Sequence, residues 1–134
     1  MSLPPRLPLL ASLFFALLLP ATLPAAADDT SVQRPQFIYL LRLVERLHTD
    51  RGWTKADEEI VARHFRHLKA ATETGQAIVV GRTREPGDRT FGLVIFEAND
   101  LAAAEAFAQS DPAVVAGVMT VEVRPFSLVL LGKM

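Results

Sequence analysis

The order of the hydrophobic patterns along the chain is the feature that most restricts its fold. Alternating branched and aromatic residues predict strands, whereas apolar residues every three or four positions predict helices. These patterns predict a strand at 37–44, a helix at 54–74, strands at 76–83 and 90–97, a helix at 99–111 and a strand at 121–131. The β-α-β-β-α-β order predicts an α+β, ferredoxin-like fold with a four-stranded antiparallel sheet and two helices on one face.

End signals support both predicted helices. Thr54 is a favourable N-cap, and Gly75 stands where a glycine ends a helix. Asn99 is expected to cap the second helix, and Asp111-Pro112 to close it, because a residue before proline avoids helical angles. The residues expected to face the core are Ile60, Val61, His64, Phe65 and Leu68 in the first helix and Leu101, Ala104, Phe107 and Ala108 in the second.

The predicted first strand is apolar on both faces. Phe37, Tyr39 and Leu41 alternate with Ile38 and Leu40. Two helices cover only one face of such a sheet, so the other face needs a different cover. The same face of a second copy would provide it, which predicts a homodimer through sheet faces. Partial exposure of that face is the alternative.

The N-terminal residues have the pattern of an export signal. Arg6 precedes an apolar run at 7–19, and small residues at 25–27 offer a cleavage site. The sequence therefore predicts a signal peptide at 1–27, a flexible leader at 28–36, a domain at 37–131 and a periplasmic or secreted location. A run of about 13 apolar residues is short for a membrane span, but an uncleaved anchor remains the alternative.

Composition argues against several classes of function. The chain has no cysteine, which excludes disulfides and a cysteine-linked lipid anchor. Its formal net charge is -1 and it has no basic patch with interleaved aromatic residues, so nucleic acid is not an expected partner. No dinucleotide fingerprint or Ser/His/Asp nucleophile motif is present, and no cofactor is expected. His64 and His67 share a helix side, but three histidines without cysteine do not predict a metal site.

Several short motifs in the second half of the chain resemble those of the YCII-related (YciI-like) family. They are His64-Phe65 with Gly75 and Gly81 downstream, Phe91-Gly92, the segments 111–114 and 116–118, and Pro125-Phe126. The resemblance extends over about residues 37–131, and the order and spacing of the motifs carry it. Arg82 stands where the family often has proline, and Arg124 precedes the Pro-Phe pair.

This resemblance implies a ferredoxin-like domain that pairs into a dimeric α+β barrel, with a cleft between helices and sheet. The architecture is similar to that of muconolactone isomerases and chloromuconolactone dehalogenases. Family members are proposed to use a His-Asp pair, and the matching positions are His64 and Asp111. The resemblance therefore implies that His64 is a general acid/base and that Asp111 orients it.

Each candidate site residue also has a structural interpretation. His64 lies on the buried side of its helix, where a histidine can simply bond to a backbone carbonyl. Asp111 before proline is a natural N-cap for a short helical turn, and a carboxylate can perform both roles. Arg82 and Arg124 could bind a carboxylate substrate or lie as surface charges in the dimer seam. Trp53 could line a pocket or staple the start of the first helix.

Two hypotheses for function follow. The first is proton transfer, of isomerase or lyase type, on a small organic acid or lactone in a small-molecule cleft. In it, His64 and Asp111 are catalytic, and Arg82, Arg124 and Trp53 contact the substrate. The alternative is a non-catalytic periplasmic small-molecule-binding or assembly module, in which the His-Asp pair is a structural hydrogen bond.

Overall fold

A computed structural model of the chain describes residues 33–132. The predicted signal peptide and the leader up to residue 32 lie outside the described residues. The helices and strands are β1 (Gln36–Leu43), α1 (Lys55–Glu73), β2 (Ala77–Arg82), β3 (Gly92–Glu97), α2 (Leu101–Gln109), α3 (Pro112–Val115) and β4 (Met119–Phe126). The sheet has the order β2-β3-β1-β4 and all its pairs are antiparallel. This arrangement confirms the predicted ferredoxin-like α+β fold.

Helices α1 and α2 pack on one face of the sheet. Leu68 of α1 and Ala104 of α2 belong to the same buried cluster as the inward-facing residues of β1. Tyr39 and Phe96, both fully buried, lie at its centre with ring centroids 5.4 Å apart. The alternation predicted for β1 is thus the observed one, because Phe37, Tyr39 and Leu41 are all buried on the helix side.

The opposite face of the sheet is also apolar near its centre. Ile38 pairs with Ile95, and Leu40 pairs with Leu93, so these four side chains form two neighbouring rows. Successive strand residues point to opposite faces, and the rows therefore lie away from α1 and α2. No helix of residues 33–132 is long and apolar enough to cross a membrane.

The start of α1 is held by a capping box. The Thr54 side chain accepts the Asp57 backbone N–H, and the Asp57 carboxylate accepts the Thr54 backbone N–H at 2.9 Å. Arg46 adds a two-pronged ion pair to the same carboxylate, at 2.6 and 2.9 Å. At the other end, Gly75 adopts φ 76°, a conformation that glycine enters at little steric expense, so the helix ends where predicted.

The second helical region differs in detail from its prediction. Asp100, not Asn99, caps α2, and its Oδ1 accepts the Ala103 N–H at 2.8 Å. The two neighbouring residues have similar capping preference, and the backbone angles decide between them. Leu101 was expected in the core but is 44% exposed at the first position of the helix. Asp111 then caps the separate short helix α3, with Pro112 at its first position.

Two further predictions need correction. The last strand was expected to continue to residue 131, but β4 ends at Phe126. Phe126, the last residue of β4, pairs with Gln36, the first residue of β1. No β1 backbone therefore remains to pair with later residues. Phe65 was placed in the apolar stripe of α1, yet it is 66% exposed. It lies about 100° around the helix from His64, at the edge of the buried face.

Candidate functional site

His64 and Asp111, 47 positions apart in the chain, are in direct contact. The His64 Nδ1 atom lies 2.8 Å from both carboxylate oxygens of Asp111. Helix α1 supplies the histidine one turn before the buried Leu68, and the N-cap of α3 supplies the aspartate. The Asp111 side chain is fully buried, and that of His64 is 14% exposed. The structure therefore brings together the two residues that the family resemblance singled out.

Asp111 is also the N-cap of α3, so the two interpretations of this residue coexist. Its Oδ1 accepts the backbone N–H of Ala113 at 2.9 Å. A carboxylate has two oxygens with several lone pairs, which allows it to cap a helix and to bind an imidazole simultaneously. Because the cap fixes one oxygen relative to α3, it also fixes the position of the carboxylate beside His64.

Tyr39 is a third member of the site that the sequence analysis did not identify. Its hydroxyl donates to Asp111 Oδ2 at 3.3 Å from the centre of β1. Burial, followed by the nearby Asp111 carboxylate, raises the pKa of Tyr39 above its ordinary value, so the hydroxyl keeps its proton. A usable signal was present, because the single tyrosine of the chain lies at an inward position of a strand. A buried hydroxyl needs a hydrogen-bond partner.

A cavity of about 500 Å³ lies between α1 and the sheet, beside His64. This is within the usual size range of small-molecule sites. His64 borders the cavity and Asp111 does not, so the imidazole separates the ligand space from the buried carboxylate. Asp111 engages Nδ1, which leaves Nε2 as the ring nitrogen available to a ligand. Most of the wall is apolar and includes Leu41, Leu68, Val80, Phe91 and Val94.

Of the three predicted substrate-binding residues, the structure brings two to this cavity. Arg82, the last residue of β2, and Trp53, just before α1, both line it. The indole N–H of Trp53 donates to the Leu47 carbonyl oxygen at 3.1 Å, which fixes the ring. A hydrophobic staple does not form, because the matching position in α1 is the exposed Glu58.

Arg124 does not lie at the cavity. It pairs with Ile38 across the sheet and therefore points to the face opposite Tyr39. Its guanidinium forms an ion pair with Glu122 two residues earlier on the same strand. Arg124 could have bound a carboxylate substrate or been a surface charge in the dimer seam. Its position fits the second alternative, because it lies on the face of the sheet that α1 and α2 do not cover.

His67 is half-buried and faces α2, not the cavity. Its ring stacks on Phe107 of α2, with centroids 5.3 Å apart and 27° between the planes. Its Nε2 atom is buried and has no hydrogen-bond partner among the described residues. Across residues 33–132, no group of three or more His, Cys, Asp or Glu side chains is placed to hold a metal ion.

The fold and the cavity define an α+β protein with a ferredoxin-like sheet and a site of small-molecule size under its first helix. The chain belongs to the family of the YCII-related domain, whose model matches residues 41–127. No protein of curated function matches it.

Two solved structures are similar to the chain at low identity. One is the 5-chloro-2-hydroxyhydroquinone dehydrochlorinase of Burkholderia phenoliruptrix in complex with 2,5-dihydroxybenzoquinone, with 18% identity and a TM-score of 0.48. That match covers 69% of this chain and 93% of the other. The second is a putative antibiotic biosynthesis monooxygenase from Bacteroides thetaiotaomicron, with 16% identity, a TM-score of 0.42 and coverages of 75% and 95%.

Proposed function

We propose that this chain is an exported protein that binds a small organic acid or lactone and catalyses a proton transfer on it, as an isomerase or lyase does. The observation that carries the proposal is the 2.8 Å contact between a fully buried carboxylate and an imidazole bordering a cavity of about 500 Å³. A histidine is the side chain best suited to exchange protons near neutral pH. Membership of the YCII-related family is consistent with small-molecule chemistry.

In the proposed mechanism, Asp111 fixes the tautomer of His64. The carboxylate accepts the Nδ1–H, so the neutral ring presents an unprotonated Nε2 towards the cavity. Nε2 takes a proton from a carbon or hydroxyl of the substrate, and the resulting imidazolium is stabilised by the adjacent carboxylate. Returning that proton to another substrate atom completes an isomerisation. A positioned general acid/base of this kind contributes about 10²–10⁴-fold in rate.

Substrate contacts come from the remaining polar and aromatic groups of the wall. The guanidinium of Arg82 would bind an anionic group through paired hydrogen bonds, and Trp53 presents a fixed ring face to an apolar part of the substrate. Both groups lie on the same cavity as His64, which is the condition for holding a substrate against Nε2.

A non-catalytic binding or assembly module remains the second candidate, and one observation favours it. Asp111 receives hydrogen bonds from Tyr39 and from the Ala113 backbone in addition to His64. The His-Asp contact is thus part of a network that also stabilises α3, as expected of a structural hydrogen bond.

The variant His64→Ala separates the two candidates, with His67→Ala as its control. His67 is three residues along α1, is also half-buried and does not border the cavity. In the catalytic case, His64→Ala abolishes turnover of an identified substrate or weakens ligand binding, and the melting temperature changes little. Full turnover by His64→Ala, or a large loss of melting temperature without an effect on ligand binding, would contradict the proposal.

Export is tested independently of the chemistry. If residues 1–27 are a cleaved signal, expression of the full chain in a Gram-negative host yields a periplasmic protein that begins at Asp28. Intact-mass analysis of the periplasmic fraction measures this directly. Recovery of the complete chain from the cytosol would exclude the predicted localisation, and recovery of the complete chain from membranes would favour the uncleaved anchor.

We also propose a homodimer in which the apolar rows of Ile38, Leu40, Leu93 and Ile95 meet their copies. Leu40→Glu would place a charge in that seam and is expected to produce a monomer by light scattering. The control is Val115→Glu, at a residue that is 73% exposed on α3. A wild-type monomer at micromolar concentration, or an unchanged dimer of Leu40→Glu, would refute this arrangement.

A further inference from the structure

The side chains of the cavity wall offer a ligand very few polar partners. Two of the polar groups are already engaged, since the Trp53 indole donates to Leu47 and the Thr90 hydroxyl donates to Glu85. The Nδ1 atom of His64 is held by Asp111. Among the described side chains of the wall, the groups left for a ligand are therefore His64 Nε2, the guanidinium of Arg82 and the acceptor lone pairs of the Thr90 hydroxyl oxygen, so Arg82 is the remaining cationic donor.

This small set restricts the chemistry of the ligand. A sugar, a nucleotide or a peptide would bury several hydroxyl or amide groups against apolar side chains without partners, which is strongly unfavourable. One anionic group, in contrast, matches the planar guanidinium of Arg82 through charge-assisted hydrogen bonds. The rest of the ligand must be apolar, because Leu41, Leu68 and Val94 form that part of the wall.

The strand register gives the direction in which such a ligand lies. Gly92 is paired with Arg82 on one side and with Leu41 on the other, so the three residues form one row across β2, β3 and β1. Neighbouring strands are about 4.8 Å apart, which separates the ends of the row by about 10 Å. Gly92 lines the cavity and has no side chain, so the space above it connects the cation with the apolar wall.

We propose that the cavity binds an organic acid with a single anionic group and an apolar body, lying across Gly92 with its anionic end at Arg82 and its body against Leu41. Arg82 is exposed, as are Phe65 and Val80 beside the same cavity, so these residues mark its mouth. The ligand thus enters apolar end first, and Gly92 sets the width available to it. This inference rests on the proposed function, because it describes the substrate of the same site.

Matched pairs of probes test the ligand class. Benzoate, cinnamate and indole-3-propionate are titrated calorimetrically into the purified protein, each beside its primary amide, and gluconate serves as a polyhydroxylated anion. At least one aromatic acid is expected to bind about 10–100-fold more tightly than its amide, as a charged hydrogen bond implies. Equal binding of acid and amide, tighter binding of gluconate, or failure of all three acids to bind would overturn the proposal.

Arginine variants identify the residue that holds the anionic group. Arg82→Gln is expected to remove the preference for acid over amide. Arg124→Gln is the matched control, because Arg124 lies on the opposite face of the sheet and pairs with Glu122. Loss of the preference in Arg124→Gln, or its retention in Arg82→Gln, would contradict the assignment.

Substitutions at Gly92 test the orientation. A Cβ atom added there would lie 3.5 Å from Leu41 Cβ, an ordinary contact, so Gly92→Ala is expected to fold normally and to bind the bulkiest acid more weakly. Gly92→Val adds two further methyl groups above the row and is expected to abolish binding of that acid while thermal melting shows an intact fold. Unchanged binding in a folded Gly92→Val protein would show that the ligand does not cross this residue.

Failure of this inference and failure of the proposed function give different results. Binding of the acids requires Arg82 and the space over Gly92, whereas proton transfer requires His64. If the protein binds the acids but His64→Ala keeps full turnover, the proposed ligand class stands and the proposed mechanism is wrong. If turnover depends on His64 but the protein binds acid and amide equally, the proposed mechanism stands and the proposed ligand class is wrong.

Discussion

The described part of the chain buries two carboxylates, Asp57 and Asp111, and it satisfies them in different ways. Both lie at helix N-termini. Asp57 closes the capping box of α1 and pairs with Arg46, a permanently charged residue whose side chain is 50% exposed. Asp111 is deeper, and its partners are the Tyr39 hydroxyl, the Ala113 backbone and the imidazole of His64.

This difference separates a structural carboxylate from a candidate functional one. Hydrogen bonds from Arg46 and then from Thr54 hold the pKa of Asp57 well below its usual range, so this carboxylate stays ionised and fixes the start of α1. The only basic side chain that contacts Asp111 within residues 33–132 is the imidazole of His64, and that imidazole borders a cavity. Burial alone does not distinguish the two residues; the nature of the partner does.

The largest effect is expected for Asp111→Ala. The substitution leaves three donors without their acceptor in a buried region, namely the Tyr39 hydroxyl, the Ala113 N–H and His64 Nδ1. Because each buried donor left unsatisfied costs about 1–3 kcal/mol, a loss of more than about 3 kcal/mol is expected. Urea unfolding measures the change in free energy of unfolding. Asp57→Ala is the comparison, and a smaller loss is expected because the exposed Arg46 can be hydrated. An equal or larger loss of unfolding free energy in Asp57→Ala would show that the two carboxylates do not differ in the way proposed.

Tyr39→Phe tests how much the hydrogen bond from the Tyr39 hydroxyl contributes to stabilising and positioning the Asp111 carboxylate. It removes one hydrogen bond to a buried carboxylate that keeps two others, so a loss of about 1–2 kcal/mol in unfolding free energy is expected. The ¹⁵N shifts of the His64 ring should also change, because the position of the carboxylate is no longer fixed from β1. Phe96→Leu alters the same core layer without touching Asp111, and it should leave those shifts unchanged. Identical changes in both variants would indicate a packing effect only.

Asp57→Asn should show a dependence on pH with a definite sign. Because the pKa of Asp57 is lowered in the folded state, its stabilising contribution is present above its ordinary value of 3.8 and is lost as the pH falls further. The difference in unfolding free energy between wild type and Asp57→Asn is therefore expected to be larger at about pH 7 than at about pH 3. A difference that grows towards low pH would contradict the assigned direction.

The smallest effect is expected for Thr54→Ala. It removes the side-chain acceptor of the capping box but leaves the Asp57–Arg46 ion pair, so a loss of about 1 kcal/mol in unfolding free energy is predicted. Thr54→Ser, which keeps the hydroxyl, should remain close to wild type in the same urea titration. A large loss in Thr54→Ser would show that the threonine methyl group, and not the hydroxyl, stabilises the helix start.

Local features of the fold could be predicted from the sequence. Thr54 and Gly75 mark the ends of α1, and Asp111 begins α3, because capping depends on residues within one turn of each other. Predictions that required neighbouring residues to be ranked were less accurate. Asn99 and Asp100 are similar caps, and only the backbone at each position distinguishes them.

The candidate site was predictable only in part. The apolar spacing placed His64 on the inner side of α1, and the family resemblance paired it with Asp111. Nothing in the local sequence showed that Tyr39 would donate to that carboxylate, since the two residues are 72 positions apart. The face on which Arg124 lies depends on the register between β1 and β4, which the alternation within one strand does not specify.

The sequence by itself thus determined the order of the elements and the ends of α1, which follow from residue spacing, and the identity of the His-Asp pair, which follows from the motifs of the family resemblance. Only the tertiary structure decided which groups surround Asp111, that Arg82 rather than Arg124 reaches the cavity, and that His67 stacks on Phe107. The physical reason is that such contacts are made between elements distant in the chain. Strand register and helix packing, which set them, are properties of the whole fold.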